Sequence, residues 1–166
     1  MATPTYDLLA STTLATSASS VTFSSIDQNY GDLILVTESK GSVGSGAIPT
    51  RFRLNADSGD NYSYVLMNGD GSSANSQAIT GNSFGIMSGY GTPTETQAGL
   101  TILQIMDYSA TDKHKAALTR ANTSYVEAIA QRWADTSAVN SISVFCFTSG
   151  DNFAAGSTFN LYGVAK

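Results

Sequence analysis

The sequence predicts an all-β protein: an antiparallel two-sheet sandwich, jelly-roll-like, in a single domain. Three observations predict it. Most of the 166 residues fall into short runs of β-branched and aromatic side chains, with few long stretches of helical period. The runs are separated by Gly, Asn, Asp and Ser, including Asn68-Gly69, Asp70-Gly71 and Ser58-Gly59-Asp60-Asn61, which suit tight turns. The apolar share of 42% is enough to bury a core, at a length that suits one domain. An immunoglobulin-like sandwich is the second choice, since it is usually nearer ~100 residues and leaves strands over.

In chain order, residues 1–5 read as an extended N-terminal arm, and strands are expected near Tyr6–Leu14 and Ser20–Ile26. In the second, Val21 and Phe23 point one way and Thr22 and Ser24 the other. Asp32–Glu38 is apolar on both faces, as in a central strand that is covered on each side or closed into an assembly. Arg51–Asn55 and Tyr62–Met67 flank the Ser58–Asn61 turn. Leu100–Asp107, Lys115–Ala121, Tyr125–Trp133, Val139–Phe147 and Ser157–Val164 complete the set. In Val139–Phe147, Ile142, Val144 and Cys146 oppose Ser143, Phe145 and Phe147. Gly41–Gly46 and Ser72–Thr96 read as loops, the longer one holding a short strand near Phe84–Met87. One stretch is ambiguous: Val126, Ile129, Ala130 and Trp133 fall at helical spacing, behind a Thr111-Asp112 cap. The break at Asn122-Thr123-Ser124, and the face shared by Tyr125, Ile129 and Trp133 at period two, favour a strand.

Composition excludes several function classes. Charged residues are 13% of the chain, the net charge is −5 and the sequence pI is about 4.5. Nucleic acid requires a dense basic footprint, and the one basic cluster is Lys113, Lys115 and Arg120. Ser and Thr make up a quarter of the chain, so hydroxyls provide much of its polarity. No apolar run approaches the ~20 residues of a membrane span, and no basic segment precedes an apolar one near the N-terminus. No nucleic-acid or membrane partner is expected. Cys146 is the single cysteine, in the apolar run Val144–Phe147, and reads as a buried thiol without redox chemistry.

Groups for catalysis or metal binding are sparse. His114, the single histidine, lies between two lysines and reads as a surface residue. With one His and one Cys, a transition-metal site would need several chains, such as three copies of His114 about a trimer axis. Paired acids can hydrolyse glycosides. The pairs here are Asp57 with Asp60, Asp107 with Asp112, and Glu127 with Asp135. Asp57 and Asp60 frame a turn glycine, where Asp usually bonds the backbone, and with Asn61 they are also the one candidate calcium loop. No glycine-rich stretch has the form of a phosphate cradle. Tyr30, Tyr62, Tyr64, Tyr90, Tyr108, Tyr125 and Trp133 could stack on sugars or serve as core anchors. From these residues no enzyme, no cofactor and no metal is expected; a polysaccharide hydrolase using two of these acids stays open as a third reading.

Several passages carry a resemblance. Ser20-Val-Thr-Phe-Ser-Ser-Ile26 with Tyr30-Gly-Asp-Leu-Ile-Leu-Val36, Arg53–Tyr64, Asp107-Tyr-Ser with Lys113-His-Lys115, and Asn140-Ser-Ile142 with Asn152–Val164 resemble small virion surface proteins of tailed bacteriophages, including phages of cyanobacteria. Asp27 replaces the Pro expected after the Ser-Ser-Ile block, which alters a turn. The resemblance implies a homotrimeric capsid decoration (cement) protein, made in the host cytoplasm, on the outer surface of the virion. It would bind the major capsid protein of the phage head and stabilise the shell. The alternative is a head-fibre or tail-fibre module that binds host surface glycan. The expected polar contacts are Tyr6, Asp7, Arg51, Arg53, Lys113, His114 and Lys115.

Overall fold

The computed structural model describes residues 5–42, 48–92, 97–123 and 125–166. Among them are twelve strands and no helix: β1 (Tyr6–Thr13), β2 (Ser20–Phe23), β3 (Asp32–Ser39), β4 (Ile48–Leu54), β5 (Tyr62–Gly69), β6 (Ala74–Asn82), β7 (Gly85–Thr92), β8 (Gly99–Met106), β9 (Lys115–Asn122), β10 (Val126–Trp133), β11 (Ile142–Cys146) and β12 (Thr158–Val164). They form two antiparallel sheets, one of eight strands in the order β1-β12-β3-β8-β9-β10-β5-β6 and one of four in the order β2-β11-β4-β7. This is the predicted jelly-roll-like sandwich.

All ten runs expected from the sequence contain strands. Residues 126–133 are strand β10, paired with β9 on one side and β5 on the other. Glu127, Ile129, Gln131 and Trp133 are buried there, while Val126, Ala128, Ala130 and Arg132 are exposed. In the expected loop from Ser72 the short strand near Phe84–Met87 is present as part of β7, but the rest is corrected: β6 and the remainder of β7 occupy most of it. Strand β6 is an edge with hardly any buried side chain, so it has no apolar alternation to read. Residues 1–4 of the expected arm, 43–46 of the Gly41–Gly46 loop and 93–96 of the Ser72–Thr96 loop lie outside the described residues.

Alternation directs the core. Leu33 and Leu35 of β3, Leu103 and Ile105 of β8, and Phe159 and Leu161 of β12 line the inner face of the large sheet. Val21, Phe23, Phe52, Leu54, Ile142 and Val144 meet them from the small sheet. Tyr62 joins the layers. Its ring lies edge-on to Phe52 at 6.2 Å and stacked with Trp133 at 6.5 Å, and its hydroxyl accepts the Leu54 N–H at 2.9 Å. Burial pushes the Tyr62 pKa up. At one end, the buried Tyr108 donates its hydroxyl to the Asp27 carbonyl, and its own carbonyl accepts the Val139 N–H at 2.8 Å.

Gly85 is paired across β4–β7 with Phe52, and a Cβ built on it would come within 2.2 Å of that ring. The small sheet closes over Phe52 because this position carries no side chain. Gly85→Ala is expected to destabilise the fold by about 1–3 kcal/mol through overpacking. Gly31→Ala, with 3.6 Å of room, is expected to change stability by less than about 0.5 kcal/mol. Urea unfolding of both variants checks this.

Candidate functional site

Two exposed surfaces with different chemistry dominate the molecule. The first is the outer face of the eight-stranded sheet, where cross-strand register builds continuous rows. One row is Tyr162, Ile34, Gln104, Leu118, Ala130 and Val65. The next is Asn160, Val36, Ile102, Arg120, Ala128 and Met67, and a third is Glu38, Leu100, Asn122, Val126 and Gly69. Leu8 extends the first row onto β1. Across these rows the charged residues are Glu38 and Arg120, and the adjoining row of Met106, Ala116, Arg132 and Ser63 adds Arg132, with Asp32 at its β3 end. Several large side chains are well exposed, Val126 at 73%, Leu8 at 57% and Met67 at 55%. Where β10, β5 and β6 meet, Val126, Ala128, Met67, Gly69 and Ala74 border a shallow hollow of about 670 Å³.

The second surface is the outer face of the four-stranded sheet. Strand register aligns Ser20, Phe145 and Arg51 in one row and Thr22, Ser143 and Arg53 in the next. The Arg53 guanidinium lies 4.9 Å from the Phe145 ring centroid, and its Nε–H donates to the Ser83 carbonyl at 3.0 Å. Stacking plus one hydrogen bond fixes the plane of the group. Among the described residues no hydrogen bond engages its terminal nitrogens, which remain able to donate. Thr22 and Ser143 hydroxyls meet at 2.9 Å. Ser20, Thr22, Arg53, Ser143 and Phe145 border a groove of about 390 Å³.

The residues expected as polar contacts occupy three places. Tyr6, 57% exposed, and Asp7, whose carboxylate accepts the Tyr30 hydroxyl at 3.1 Å, lie on edge strand β1. Lys113 and His114 are exposed in the β8–β9 loop, with Lys113 paired to Asp107 at 3.2 Å. The expected surface position of Lys115 is corrected: it is only 1% exposed and donates inward to the Lys113 and Thr136 carbonyls. Arg51 is corrected likewise. Its guanidinium is packed against the rings of Phe147 (4.8 Å) and Phe84 (5.5 Å), donates to the Thr50 and Ser88 carbonyls, and is lowered by burial to about 10. Arg53, half-buried, borders the groove, and among the described residues no hydrogen bond engages its terminal nitrogens. Tyr6, Asp7, Lys113 and His114 lie toward one end of the large sheet, whereas Arg51 and Arg53 belong to the small one.

The acids serve the fold. Asp57 accepts from Trp133 Nε1 at 2.6 Å, Asn61 Nδ2 at 2.8 Å and the Gly59 N–H at 2.8 Å. Asn61 thus turns its amide nitrogen toward that carboxylate, the wrong group for a shared cation. Among the described residues no cluster of three His, Cys, Asp or Glu could hold a metal. Asp135 accepts the Ser137 N–H at 2.7 Å. Burial pushes the Cys146 thiol up to about 12.

Glu127 was flagged in the sequence only as half of an acid pair. It is 2% exposed and accepts from Ser88 Oγ at 2.6 Å, the Gly89 N–H at 2.7 Å and Thr123 Oγ1 at 3.2 Å. Period two places it beside Ile129 and Trp133, which is the signal that it is buried. Its donors lie in β7 and the β9–β10 turn, and no local pattern reveals them.

Comparison with known proteins finds no matching family model and no matching curated relative. Similar solved structures include an alginate lyase, 14% identical, with 94% of this chain and 79% of that one covered at a TM-score of 0.42. A galectin of Caenorhabditis elegans is 7% identical over 100% and 99% of the two chains, TM-score 0.36. The endo-beta-1,4-glucuronan lyase of Trichoderma reesei is 8% identical over 93% and 79%, TM-score 0.35. Two of these three are enzymes. The expectation that the chain is not an enzyme is corrected and withdrawn: scarcity of His, Cys and facing acids is no ground for excluding catalysis.

Burial works against ionisation of Asp57, but the hydrogen bonds from Trp133, Asn61 and Gly59, with the positive charge of Arg53, outweigh it and hold the carboxyl below its ordinary 3.8. A depressed carboxyl contributes stability that is present above the unfolded value and is lost as pH falls through the folded value. Asp57→Asn is expected to cost about 1–3 kcal/mol at pH 7, with the gap to the parent closing below about pH 3.8. Urea midpoints measured from pH 7 down to pH 2 check the sign.

Proposed function

We propose that the chain is a virion structural protein, a decoration protein that binds the outer surface of a phage head as a homotrimer and stabilises the assembled shell. The observation that carries this reading is the outer face of the eight-stranded sheet. Eight strands at ~4.8 Å spacing, each about eight residues long at ~3.3 Å rise, make a face of roughly 1,000 Å². A stable interface takes ~800 Å² from each partner. Three rows on this face are mostly apolar, with Leu8, Val65, Met67, Leu100, Leu118 and Val126 exposed in them, and a cluster of large apolar side chains of that kind is uncommon on a lone monomer. Laid against the major capsid protein, it leaves water at a gain of ~25 cal/mol per Å² of apolar area.

Binding to the assembled shell, and not to dissociated subunits, stabilises the shell by mass action. A homotrimer matches the closed symmetry of a threefold junction. The passages that resemble phage virion proteins, Ser20–Val36 among them, supply the same expectation from the sequence. A second reading, a head-fibre or tail-fibre module that binds host glycan, is favoured by one observation: the hydroxyl-bordered groove at Arg53.

Quantitative mass spectrometry of purified particles, with the major shell protein as reference, separates the readings. Decoration predicts about one copy per shell subunit, or one trimer per threefold position. A few tens of copies would indicate a fibre, and absence from the particle would overturn the virion reading. The double variant Met67→Glu, Leu118→Lys places charges that must be desolvated on docking. Shell occupancy is expected to fall at least tenfold while the unfolding midpoint of the free protein stays near the parent's, because both positions are exposed. Unchanged occupancy would contradict this choice of docking face.

A further inference from the structure

The groove on the four-stranded sheet faces away from the docking surface and has a different chemistry. We propose that it is a binding site for an anionic saccharide, with the carboxylate of a uronate unit paired to Arg53 and the sugar hydroxyls bonded to Ser20, Thr22 and Ser143. The guanidinium is held in place by Phe145 at 4.9 Å and by the Ser83 carbonyl at 3.0 Å, so little side-chain freedom is lost when it meets a ligand. Its remaining donors form a planar fork that fits one carboxylate in bidentate fashion.

The rest of the groove selects the kind of anion. Arg51 stands one residue pair along the same face, yet its guanidinium is buried and donates to the Thr50 and Ser88 carbonyls, so the site has one available fork and not two. A strongly charged anion, such as a phosphopeptide or an acidic run of residues, would be matched by clustered forks. A single carboxylate amid neutral polar groups is matched by one. Ser20, Thr22 and Ser143 each carry a hydroxyl that donates and accepts, the same dual capacity that sugar hydroxyls have. The close Thr22 and Ser143 pair, at 2.9 Å, supplies two such groups at adjacent positions. In a chain of net charge −5, a guanidinium bordered by hydroxyls is a local feature that the bulk charge does not explain; the Asp57 carboxylate is near enough to feel its charge but makes no ion pair with it among the described residues.

This inference does not rest on the docking reading, since it concerns the opposite sheet and is tested on the free chain. Isotope-labelled protein is titrated with a tetrasaccharide of glucuronate, with a neutral glucose tetrasaccharide and with a tetraglutamate peptide, and amide shifts are followed by NMR. The glucuronate oligomer is expected to shift Thr22, Arg53, Ser143 and Phe145, and to bind at least tenfold tighter than either control, with affinity falling as salt rises. Arg53→Gln is expected to weaken it tenfold or more, and Arg53→Lys to restore part of the loss. Thr22→Val, at an exposed position, should weaken binding several-fold with an unchanged unfolding midpoint and guards against a folding defect in the arginine variants. Absence of binding, shifts confined to other surfaces, equal affinity for the neutral sugar, or tighter binding of the peptide would each overturn the proposal.

Discussion

Tyr62 is rooted in the eight-stranded sheet, but its hydroxyl takes the Leu54 N–H of the four-stranded one, and its ring lies between Phe52 and Trp133. That contact sets the distance between two layers of unequal size. Trp133 is anchored in turn by Asp57 in the β4–β5 turn, so the clasp continues into the loop that joins the two sheets. Glycine at position 85 leaves room for the tip of the Phe52 ring against β7. Loss of any of these groups would be felt by the others, because they share one aromatic stack and one buried acceptor.

A four-stranded layer on an eight-stranded one closes the inner faces and leaves both outer faces for other uses. The same alternation that sends Leu33, Leu35, Leu103 and Ile105 inward sends Ile34, Val36, Ile102 and Leu118 outward. A sheet that needed only solubility would place charged residues in those outward rows. Here Ile34, Val36, Ile102 and Leu118 stand there among a few polar neighbours such as Gln104 and Arg120, and that choice supports the reading of the large sheet as a docking layer. The outer face of the small sheet follows a different rule, with arginine, aromatic and hydroxyl groups arranged by register into adjacent rows.

Much of this was legible in the chain, and the reasons are specific. Val21 and Phe23 against Thr22 and Ser24, and Ile142, Val144 and Cys146 against Ser143 and Phe145, alternate as strands with one buried face do. The doubly apolar run at Asp32–Glu38 marked β3 as a central strand, and it lies between β12 and β8 with its outer side chains Ile34 and Val36 half-buried. Strand β6 escaped notice because an edge strand with hydrophilic residues on both faces has no period to detect. Arg51 and Lys115 were read as surface cations because local sequence shows charge but not cover. The rings over Arg51 come from Phe84 and Phe147, and the carbonyls around Lys115 include that of Thr136, all distant along the chain. The groove at Arg53 is likewise a product of strand pairing, since Thr22, Arg53 and Ser143 meet only through β2, β11 and β4.

The central claim is that the outer face of the large sheet is covered when the protein performs its role. Hydroxyl-radical footprinting of the protein free in solution and bound on purified particles tests it most directly. The account predicts that labelling of Met67, Leu100 and Leu118 falls at least several-fold on the particle, while Phe147 on the small sheet stays labelled. Equal labelling of Met67, Leu100 and Leu118 in the two states would contradict it.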